Sequence, residues 1–240
     1  MNFNKLEIDI EDMLALSKEE FANSRRQGFG TSDSSILLDV NPFENLTSLI
    51  NKKTQKGISE EELAVGELPA VRKGSDLEPL ILKKWSEAFG LECTKPTAQY
   101  SHKVFPFLKF NFDGIATVGD DYIPVEAKVV TRYGLKYYDF TKAQYIEKQG
   151  FNTVSLSPHP NWGNLTIKQR ADSIGIPAYY YTQVQQQIFG LEAPYGYLAV
   201  LNEADWKLYV YLVPRDEETH RQLILQSNKA WQQVEQRRGK

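Results

Sequence analysis

The sequence has little of the chemistry that soft-metal and disulfide-stabilised proteins use. Its 240 residues include one cysteine and three histidines. A single thiol excludes a disulfide framework, a cysteine-rich zinc site and an iron–sulfur cluster, and three histidines leave little for a histidine-built metal site. Any metal must therefore be held by oxygen ligands, which favours magnesium or manganese.

Long apolar runs and a strong net charge are absent as well. No apolar stretch approaches the roughly 18 residues of a membrane span, and the N-terminus has neither a basic nor an apolar signal region. We therefore expect a soluble protein of the cytoplasm that does not enter the membrane. With 28 basic and 31 acidic residues the net charge is -3, so any nucleic-acid site must rest on local basic patches.

Several signatures of nucleotide and hydrolase chemistry are also missing. The chain has no phosphate-loop motif, no His-Glu-x-x-His motif and no Gly-x-Ser-x-Gly motif. The composition, with 41% hydrophobic and 25% charged residues, is that of an ordinary globular protein and excludes collagen, coiled coil and disorder.

Hydrophobic periodicity predicts helices in the N-terminal part and mixed structure after it. Helices are predicted at 17–26, at 34–38, from 46, and after the capping patterns at 59–62 and 75–78. The strand-like runs 104–118 and 122–130 flank a turn and predict a hairpin. Further along, short helices are predicted near 139–149 and 166–174, a helix after 177, a hairpin over 195–214 and a helix over 215–238.

This order of elements predicts an α/β fold with a mixed sheet flanked by helices. No repeat or low-complexity linker divides the chain. We therefore expect one domain over residues 1–240, with a helical part at 1–95, a core at 100–213 and a C-terminal helix at 215–238.

Two carboxylates and one lysine give the strongest chemical signal. Asp113 lies towards the end of the first strand-like run, and Glu126 and Lys128 share one face of the second because strand side chains alternate. Hairpin pairing can bring Asp113 beside them. Two converging carboxylates suit a hard cation, and a neighbouring ammonium can hold and polarise a water, which is the chemistry that phosphodiester hydrolysis requires.

The spacing alone is not specific, because the chain contains two acid-x-lysine triplets. The other, Asp205-Trp206-Lys207, lies at the turn into the second hairpin, where a solvated pair is expected. Glu126 and Lys128 have apolar neighbours, which would make an unpaired acid costly. The pattern leaves a structural ion pair open beside catalysis.

Five pieces of sequence, in order, resemble one known family. They are Gly-Phe-Gly-Thr-Ser-Asp at 28–33 with Asn-Pro-Phe at 41–43, Leu-Glu-Pro at 77–79, Phe-Asp-Gly at 112–114, Val-Glu-Ala-Lys at 125–128 and Tyr-Thr-Gln-Val-Gln-Gln-Gln at 181–187. This series resembles the YqaJ-type viral recombinase and phage lambda exonuclease family of the PD-(D/E)XK nuclease superfamily. The resemblance covers about residues 17–213 and implies a restriction-endonuclease-like core.

The resemblance implies a role for each residue of the catalytic centre. Its implied metal ligands are Glu78, Asp113, Glu126 and the Ala127 carbonyl. Lys128 would orient and activate the attacking water, and Gln185, with Gln183 as a second candidate, would contact the lysine or the scissile phosphate. Glu78 also fits a capping box with Ser75, and the glutamines also fit a polar helix face.

The family holds the 5′ end of DNA where this chain has Arg26, Ser32 and Asp33. A helix start near Asp33 would present free N–H groups to phosphate, and a guanidinium can fork onto phosphate oxygens. An arginine at the C-terminal end of a helix can instead interact favourably with the helix dipole, so the role of Arg25 stays open.

The resemblance implies a 5′-to-3′ exonuclease that uses Mg²⁺ or Mn²⁺ on double-stranded DNA ends, for phage recombination in a bacterial host. It also implies a homotrimeric ring and a single-strand annealing protein as partner. The aromatic stretches around Tyr133–Tyr138 and Tyr195–Tyr211 are candidates for the ring interface. Two alternatives stay open: an endonuclease of the same superfamily, and an inactive DNA- or partner-binding module.

Overall fold

A computed structural model of the chain describes residues 8–12, 18–57, 60, 64–145 and 162–239. Its strands are β1 (Ile8–Asp12), β2 (Cys93–Thr94), β3 (Ala98–His102), β4 (Lys109–Phe110), β5 (Gly114–Val118), β6 (Asp121–Val130), β7 (Gln144–Tyr145), β8 (Tyr195–Asn202) and β9 (Lys207–Pro214). Its α-helices include α1 (Lys18–Arg26), α2 (Ser34–Leu37), α3 (Leu46–Thr54), α4 (Pro69–Phe89), α5 (Ile167–Ile174), α6 (Ala178–Gly190) and α7 (Glu217–Arg238).

A six-stranded mixed sheet, in the order β2-β5-β6-β8-β9-β7, forms the centre of the described structure. Strands β6 and β8 pair in parallel, and the other neighbours in this sheet are antiparallel. Apolar runs in β6 and β8 suit this position, because parallel strands are buried on both faces.

Helices α4 and α6 cover opposite faces of this sheet. On one face, the Trp85 ring of α4 packs 5.3 Å from the Tyr197 ring of β8, measured between centroids. On the other, α6 lies so close that a methyl group at Gly196 would stand 3.0 Å from Val184 and 3.1 Å from Ile188. Because neighbouring strand residues point to opposite faces, these two contacts define the two layers.

The predicted α/β class, with a mixed sheet flanked by helices, is confirmed. Both hairpins are present, as the antiparallel pairs β5–β6 and β8–β9. The helices predicted near 166–174, after 177 and over 215–238 correspond to α5, α6 and α7.

Three local predictions are wrong. The run 104–118 is not one strand, because β4 joins β1 and β3 in a second sheet while β5 joins the central one. The helix start predicted at 75–78 lies inside α4, which begins at Pro69, a residue suited to a first helical turn. In place of a helix near 139–149, residues 144–145 extend the sheet as β7, and 146–149 lie outside the described residues.

The two aromatic stretches proposed for a ring interface differ in their exposure. In the β8–β9 stretch, Tyr197 and Tyr211 are buried in the molecule's own core, whereas Trp206 at the turn is 55% exposed. Tyr133 and Tyr137 are exposed. Across the residues described above, none of the helices has the length and apolar character that crossing a bilayer demands.

Candidate active site

Asp113, Glu126 and Lys128 meet at the junction of β5 and β6. Glu126 and Lys128 lie two residues apart on β6, so they share a face. Asp113 immediately precedes Gly114, which pairs with Val125 across the hairpin. The Lys128 ammonium forms an ion pair with the Oε1 atom of Glu126 and lies 3.6 Å from the Oδ2 atom of Asp113.

The backbone of the hairpin fixes the first carboxylate. The N–H group of Ala127 donates a hydrogen bond of 2.9 Å to Oδ2 of Asp113. Ala127 was expected at this centre as a metal ligand through its carbonyl, and the structure gives its N–H group this positioning role.

Two glutamines of α6 hold the second carboxylate. The Gln183 amide donates to Oε1 of Glu126, and the Gln187 amide donates to Oε2 at 2.6 Å. The two glutamines are four residues apart and therefore lie on the same helix face. Gln187 was not singled out from the sequence, although its spacing from Gln183 is the signal that could have found it.

Gln185 does not reach this centre, which corrects the role expected from the resemblance. Its amide donates to the Pro214 carbonyl at 2.7 Å, and its Oε1 atom accepts from the Asp216 N–H at 3.1 Å and from His220 Nε2 at 2.9 Å. Two residues along a helix correspond to a rotation of about 200°, so Gln185 points away from Gln183. Its role is to join α6 to the start of α7.

Burial and charge act together on the ionisable groups. Glu126 is only 1% exposed, and burial, followed by Asp113, raises the pKa of its carboxyl group against the opposing effect of Lys128. Burial alone would lower the pKa of Lys128, but Glu126 and Asp113 outweigh it and raise that pKa. The centre therefore keeps a protonated ammonium and attracts further positive charge.

Glu78 approaches the centre from α4. Burial, followed by the Asp113 carboxylate, raises the pKa of Glu78. Lys95 pairs with Glu78 at 2.6 Å. Because Glu78 lies in the interior of α4, no helix end is present for it to cap.

The donor chemistry of this centre fits a hard cation. Asp113 and Glu126 offer carboxylate oxygens, and Glu78 lies nearby. In the part of the chain that the structure describes, no group of three His, Cys, Asp or Glu side chains forms a ready-made metal cage. A sparse oxygen set suits Mg²⁺, which is usually held by one or two carboxylates together with waters and substrate phosphates.

A pocket of about 180 Å³ opens beside the centre. Asp113 and Gln183 contribute to its lining, together with Arg25, Ser32 and Lys109. The remaining lining residues are Gly30, Thr31, Gln99 and Asn111. Cationic and hydroxyl side chains thus meet the acidic centre across one small cavity.

Arg26 does not line this pocket. Its side chain is buried and donates to the carbonyl oxygens of Gln55, at 3.0 Å, and Gly57. Consecutive helical residues point about 100° apart, so when Arg26 packs against the chain that follows α3, Arg25 faces the cavity. The arginine favoured from the sequence is therefore the structural one of the pair.

Asp33 is buried in an ion pair that stabilises the fold, whereas Ser32 is exposed and lines the pocket. The buried Asp33 carboxylate pairs with Lys53 at 2.7 Å and accepts from the Gly30 N–H at 3.0 Å. Lys53 donates in addition to the Arg25 carbonyl at 2.8 Å. This buried ion pair links the end of α1 to the turn that presents Ser32.

Helix α7 reinforces the same region. Its Arg238 guanidinium donates to the Arg26 carbonyl at 2.6 Å and to the Lys53 carbonyl at 2.8 Å. The backbone that carries the pocket is thus held by α3 and α7 together.

The second acid-x-lysine triplet, Asp205-Trp206-Lys207, has a different environment. Asp205 is exposed at the β8–β9 turn, where it accepts from the Lys207 N–H at 3.0 Å and from the Tyr209 hydroxyl at 3.1 Å. The setting of the two triplets therefore separates them, as expected from the apolar neighbours of Glu126.

Comparison with known proteins gives the fold and the family. The chain resembles an alkaline exonuclease (LHK-Exo) from Laribacter hongkongensis, at 14% identity and a TM-score of 0.55, over 90% of this chain and 92% of that one. It also resembles a phage-related exonuclease from Haemophilus somnus 129PT, at 12% identity and a TM-score of 0.50, over 90% and 97% of the two chains. These similarities confirm the restriction-endonuclease-like fold.

Sequence comparison adds a relative and a domain family. The uncharacterized protein YqaJ of Bacillus subtilis (strain 168) is 30% identical over 125 residues, which cover 52% of this chain and only 37% of that protein. The model of the YqaJ-like viral recombinase domain matches residues 20–189. This match covers most of the chain, and the chain belongs to the family of YqaJ-like viral recombinase domains.

Proposed function

We propose that this protein is a metal-dependent exonuclease that removes nucleotides from the 5′ end of one strand of double-stranded DNA. The observation that carries the proposal is the convergence of Asp113, Glu126 and Lys128 beside a cationic pocket. The two similar structures are both exonucleases, which supports this chemistry on the fold. The family description, a viral recombinase domain, supports a role in phage recombination.

Asp113 and Glu126 would hold the cation, with Glu78 and the Ala127 carbonyl as further ligands. A bound Mg²⁺ or Mn²⁺ supplies Lewis-acid polarisation of the scissile phosphate and neutralises developing negative charge. Oxygen ligands alone favour these two ions over softer metals.

Lys128 would position the attacking water. Its pKa is raised by Glu126 and Asp113, against the effect of burial, so it carries a proton at neutral pH and cannot act as a general base. Its ammonium can donate hydrogen bonds to a water or to a phosphate oxygen. Gln183 and Gln187 keep the Glu126 carboxylate in a fixed orientation.

Arg25 and Ser32 would bind the 5′-terminal phosphate in the adjacent pocket. A guanidinium binds phosphate through paired hydrogen bonds, and a serine hydroxyl adds a further donor. Lys109 adds positive charge to the same lining. A phosphate bound there would be close to the catalytic centre, as the release of nucleotides from a strand end requires.

The proposal includes a closed trimeric ring and a single-strand annealing protein as partner. At a net charge of -3 the chain has little overall attraction for DNA. A ring that encloses the duplex would retain it without relying on charge. Light scattering should give three times the chain mass of 27.5 kDa, and a monomer that persists on DNA at micromolar concentration would remove the ring but leave the active site.

Digestion of linear and circular duplexes tests the activity. We expect linear DNA with 5′-phosphate ends to be degraded with Mg²⁺, circular DNA to resist, and EDTA to stop the reaction. Glu126→Gln and Asp113→Asn should abolish cleavage without unfolding the protein, whereas Asp205→Asn, in the exposed triplet, is the matched control and should keep full activity. Cleavage of the circle would indicate an endonuclease, and DNA binding without cleavage would indicate an inactive module.

A further inference from the structure

Four aromatic side chains form a partly exposed surface next to the candidate active site. We call Phe43, Tyr137, Tyr179 and Tyr180 the aromatic platform. Phe43 is 81% exposed and Tyr137 is 54% exposed, while Tyr179 and Tyr180 are half-buried. Phe43, Tyr179 and Tyr180 are in ring contact, and Tyr137 is a neighbour that, after burial and Tyr180, raises the pKa of Tyr179. A contiguous exposed apolar surface marks a binding site more often than a scattered single residue does.

The platform is continuous with the catalytic centre. The Lys128 ammonium lies 5.5 Å from the centroid of the Tyr180 ring. The Tyr180 and Tyr179 rings are 4.5 Å apart, and the Tyr179 and Phe43 rings are 5.9 Å apart. A continuous series of ring contacts thus joins the Lys128 ammonium to the exposed Phe43 ring.

Phe43 is held in its exposed position by its own loop. The side-chain oxygen of Asn41 accepts from the N–H groups of Phe43, at 2.8 Å, and Glu44, at 2.9 Å. The Asn41 amide donates to the Ser35 hydroxyl at 2.8 Å, which ties the loop to α2. Because the ring is already in place, a ligand that stacks on it pays little for ordering the loop.

Positive charge accompanies the rings. The Lys136 ammonium lies 5.0 Å from the centroid of the Tyr137 ring, and Arg132 is exposed nearby in the chain. Cations that follow a phosphate backbone, combined with rings on which bases stack, are the features of single-stranded nucleic-acid sites. Protein–protein interface cores are depleted in lysine, so the charges favour a nucleic acid over a second copy of the chain.

We propose that the aromatic platform stacks unpaired nucleobases of the DNA strand end that enters the catalytic centre. This inference rests on the proposed function, because the occupant is the substrate of the nuclease. Only the terminal pair of a duplex has a free outer face, and every base behind it is covered on both faces. Stacking of more than one base on Tyr179 and Phe43 therefore requires that the bases leave the helix. The platform would therefore favour opening of the terminal base pairs.

Binding of DNA with a fluorescent terminal base tests the platform. The probes are a duplex with two unpaired terminal nucleotides and a short single strand, each with 2-aminopurine, whose fluorescence falls on stacking, and EDTA prevents cleavage. Phe43→Ala should weaken binding about fivefold or more and restore the fluorescence. Phe43→Trp, which keeps a ring, should bind as the wild type does.

Leu225→Ala is the matched control, because Leu225 is a half-exposed apolar residue of α7 outside the platform. It should leave both affinity and fluorescence unchanged. Melting temperatures should be equal for all variants, since the Phe43 ring is on the surface.

Two results would overturn the platform. One is an unchanged affinity and fluorescence in Phe43→Ala. The other is a change in oligomeric mass in Phe43→Ala with DNA binding intact, which would make this surface a contact between copies of the chain. Failure of the proposed function is seen separately, as a wild type that binds and stacks the probe but does not digest linear duplex with Mg²⁺.

Discussion

The side-chain amide of Gln187 donates a hydrogen bond of 2.6 Å to the Oε2 atom of Glu126. The same nitrogen donates to the Asn111 carbonyl at 3.1 Å, so one amide connects the buried carboxylate to the backbone between β4 and β5. Gln183 holds the other oxygen of that carboxylate. The orientation of Glu126 therefore depends on α6 as much as on its own strand.

Replacing Gln187 should affect catalysis more than folding. Gln187→Met keeps the shape of the side chain and removes both donated bonds, so we expect turnover on a linear duplex to fall about tenfold or more, the equivalent of one hydrogen bond to a charged group. Gln185→Met is the control on the opposite helix face, and it should lower the free energy of unfolding in urea by about 2 kcal/mol with little change in turnover of the folded enzyme. If Gln185→Met lowered turnover and Gln187→Met lowered only the free energy of unfolding, Gln187 would have no part in the proposed site.

Lys128 and Lys207, the lysines of the two acid-x-lysine triplets, should differ in their effect on turnover. Lys128→Ala removes the ammonium next to both carboxylates. We expect turnover to fall about a hundredfold, with DNA affinity changed little, because the proposed role of this group is to position the attacking water. Lys207→Ala, at the exposed turn, should leave turnover and affinity as they are. Single-turnover cleavage and equilibrium binding separate the two quantities, and equal losses in both variants would contradict the assignment.

Arg25 and Arg26 should separate substrate preference from stability. Arg25→Ala should erase a preference for 5′-phosphate over 5′-hydroxyl ends, while cleavage itself persists, because Arg25 lines the pocket. Arg26→Ala should keep the preference and lower the free energy of unfolding by about 2 kcal/mol, since its buried guanidinium bonds two carbonyls. Competition between the two kinds of DNA end measures the first effect. A wild type without any preference would rule out the phosphate pocket.

The stability of the fold should depend on the protonation of His220. Burial, with Arg215 nearby, lowers the pKa of His220 from its ordinary value of 6.5 to about 4. The unfolded chain binds this proton more tightly, so the stabilisation is complete above pH 6.5 and is lost as the pH falls from 6.5 through 4, by about 3 kcal/mol in all. His220→Gln cannot titrate and should flatten the fall of unfolding free energy over this window. An unchanged slope would show that other groups cause it.

Strand alternation was enough to predict that Glu126 and Lys128 share a face, and hairpin pairing predicted Asp113 beside them. Choices between sequence neighbours were harder. Arg25 and Arg26 are chemically identical in the sequence, and only the packing of α1 against α3 decides which one is buried. The side chains of Gln185 and Gln187 point about half a helical turn apart. Which of them faces Glu126 depends on how α6 packs against the neighbouring sheet.

The N-terminal part shows a second limit. Strand β1 pairs with β3, about ninety residues later, and such long-range pairing leaves no local periodic signal. Ser75 to Glu78 has the pattern of a helix start but lies inside α4, since favourable tertiary packing extends a helix through a local stop signal. Local rules therefore identified the hairpin that carries the proposed catalytic residues and missed its surroundings.

The hydrogen bond from Arg238 to the Arg26 carbonyl joins residues 212 positions apart. The β5–β6 hairpin, in contrast, closes over a few residues and needs little loop-closure entropy to form. We expect the strand pair that bears the carboxylates to gain protection early in refolding, and the Arg25 pocket to be completed late, when α7 docks. Pulsed hydrogen exchange can time the two events, and simultaneous protection would contradict this order. A chain in which only α7 has yet to dock would carry the proposed cleavage centre without the pocket proposed to restrict it to DNA ends.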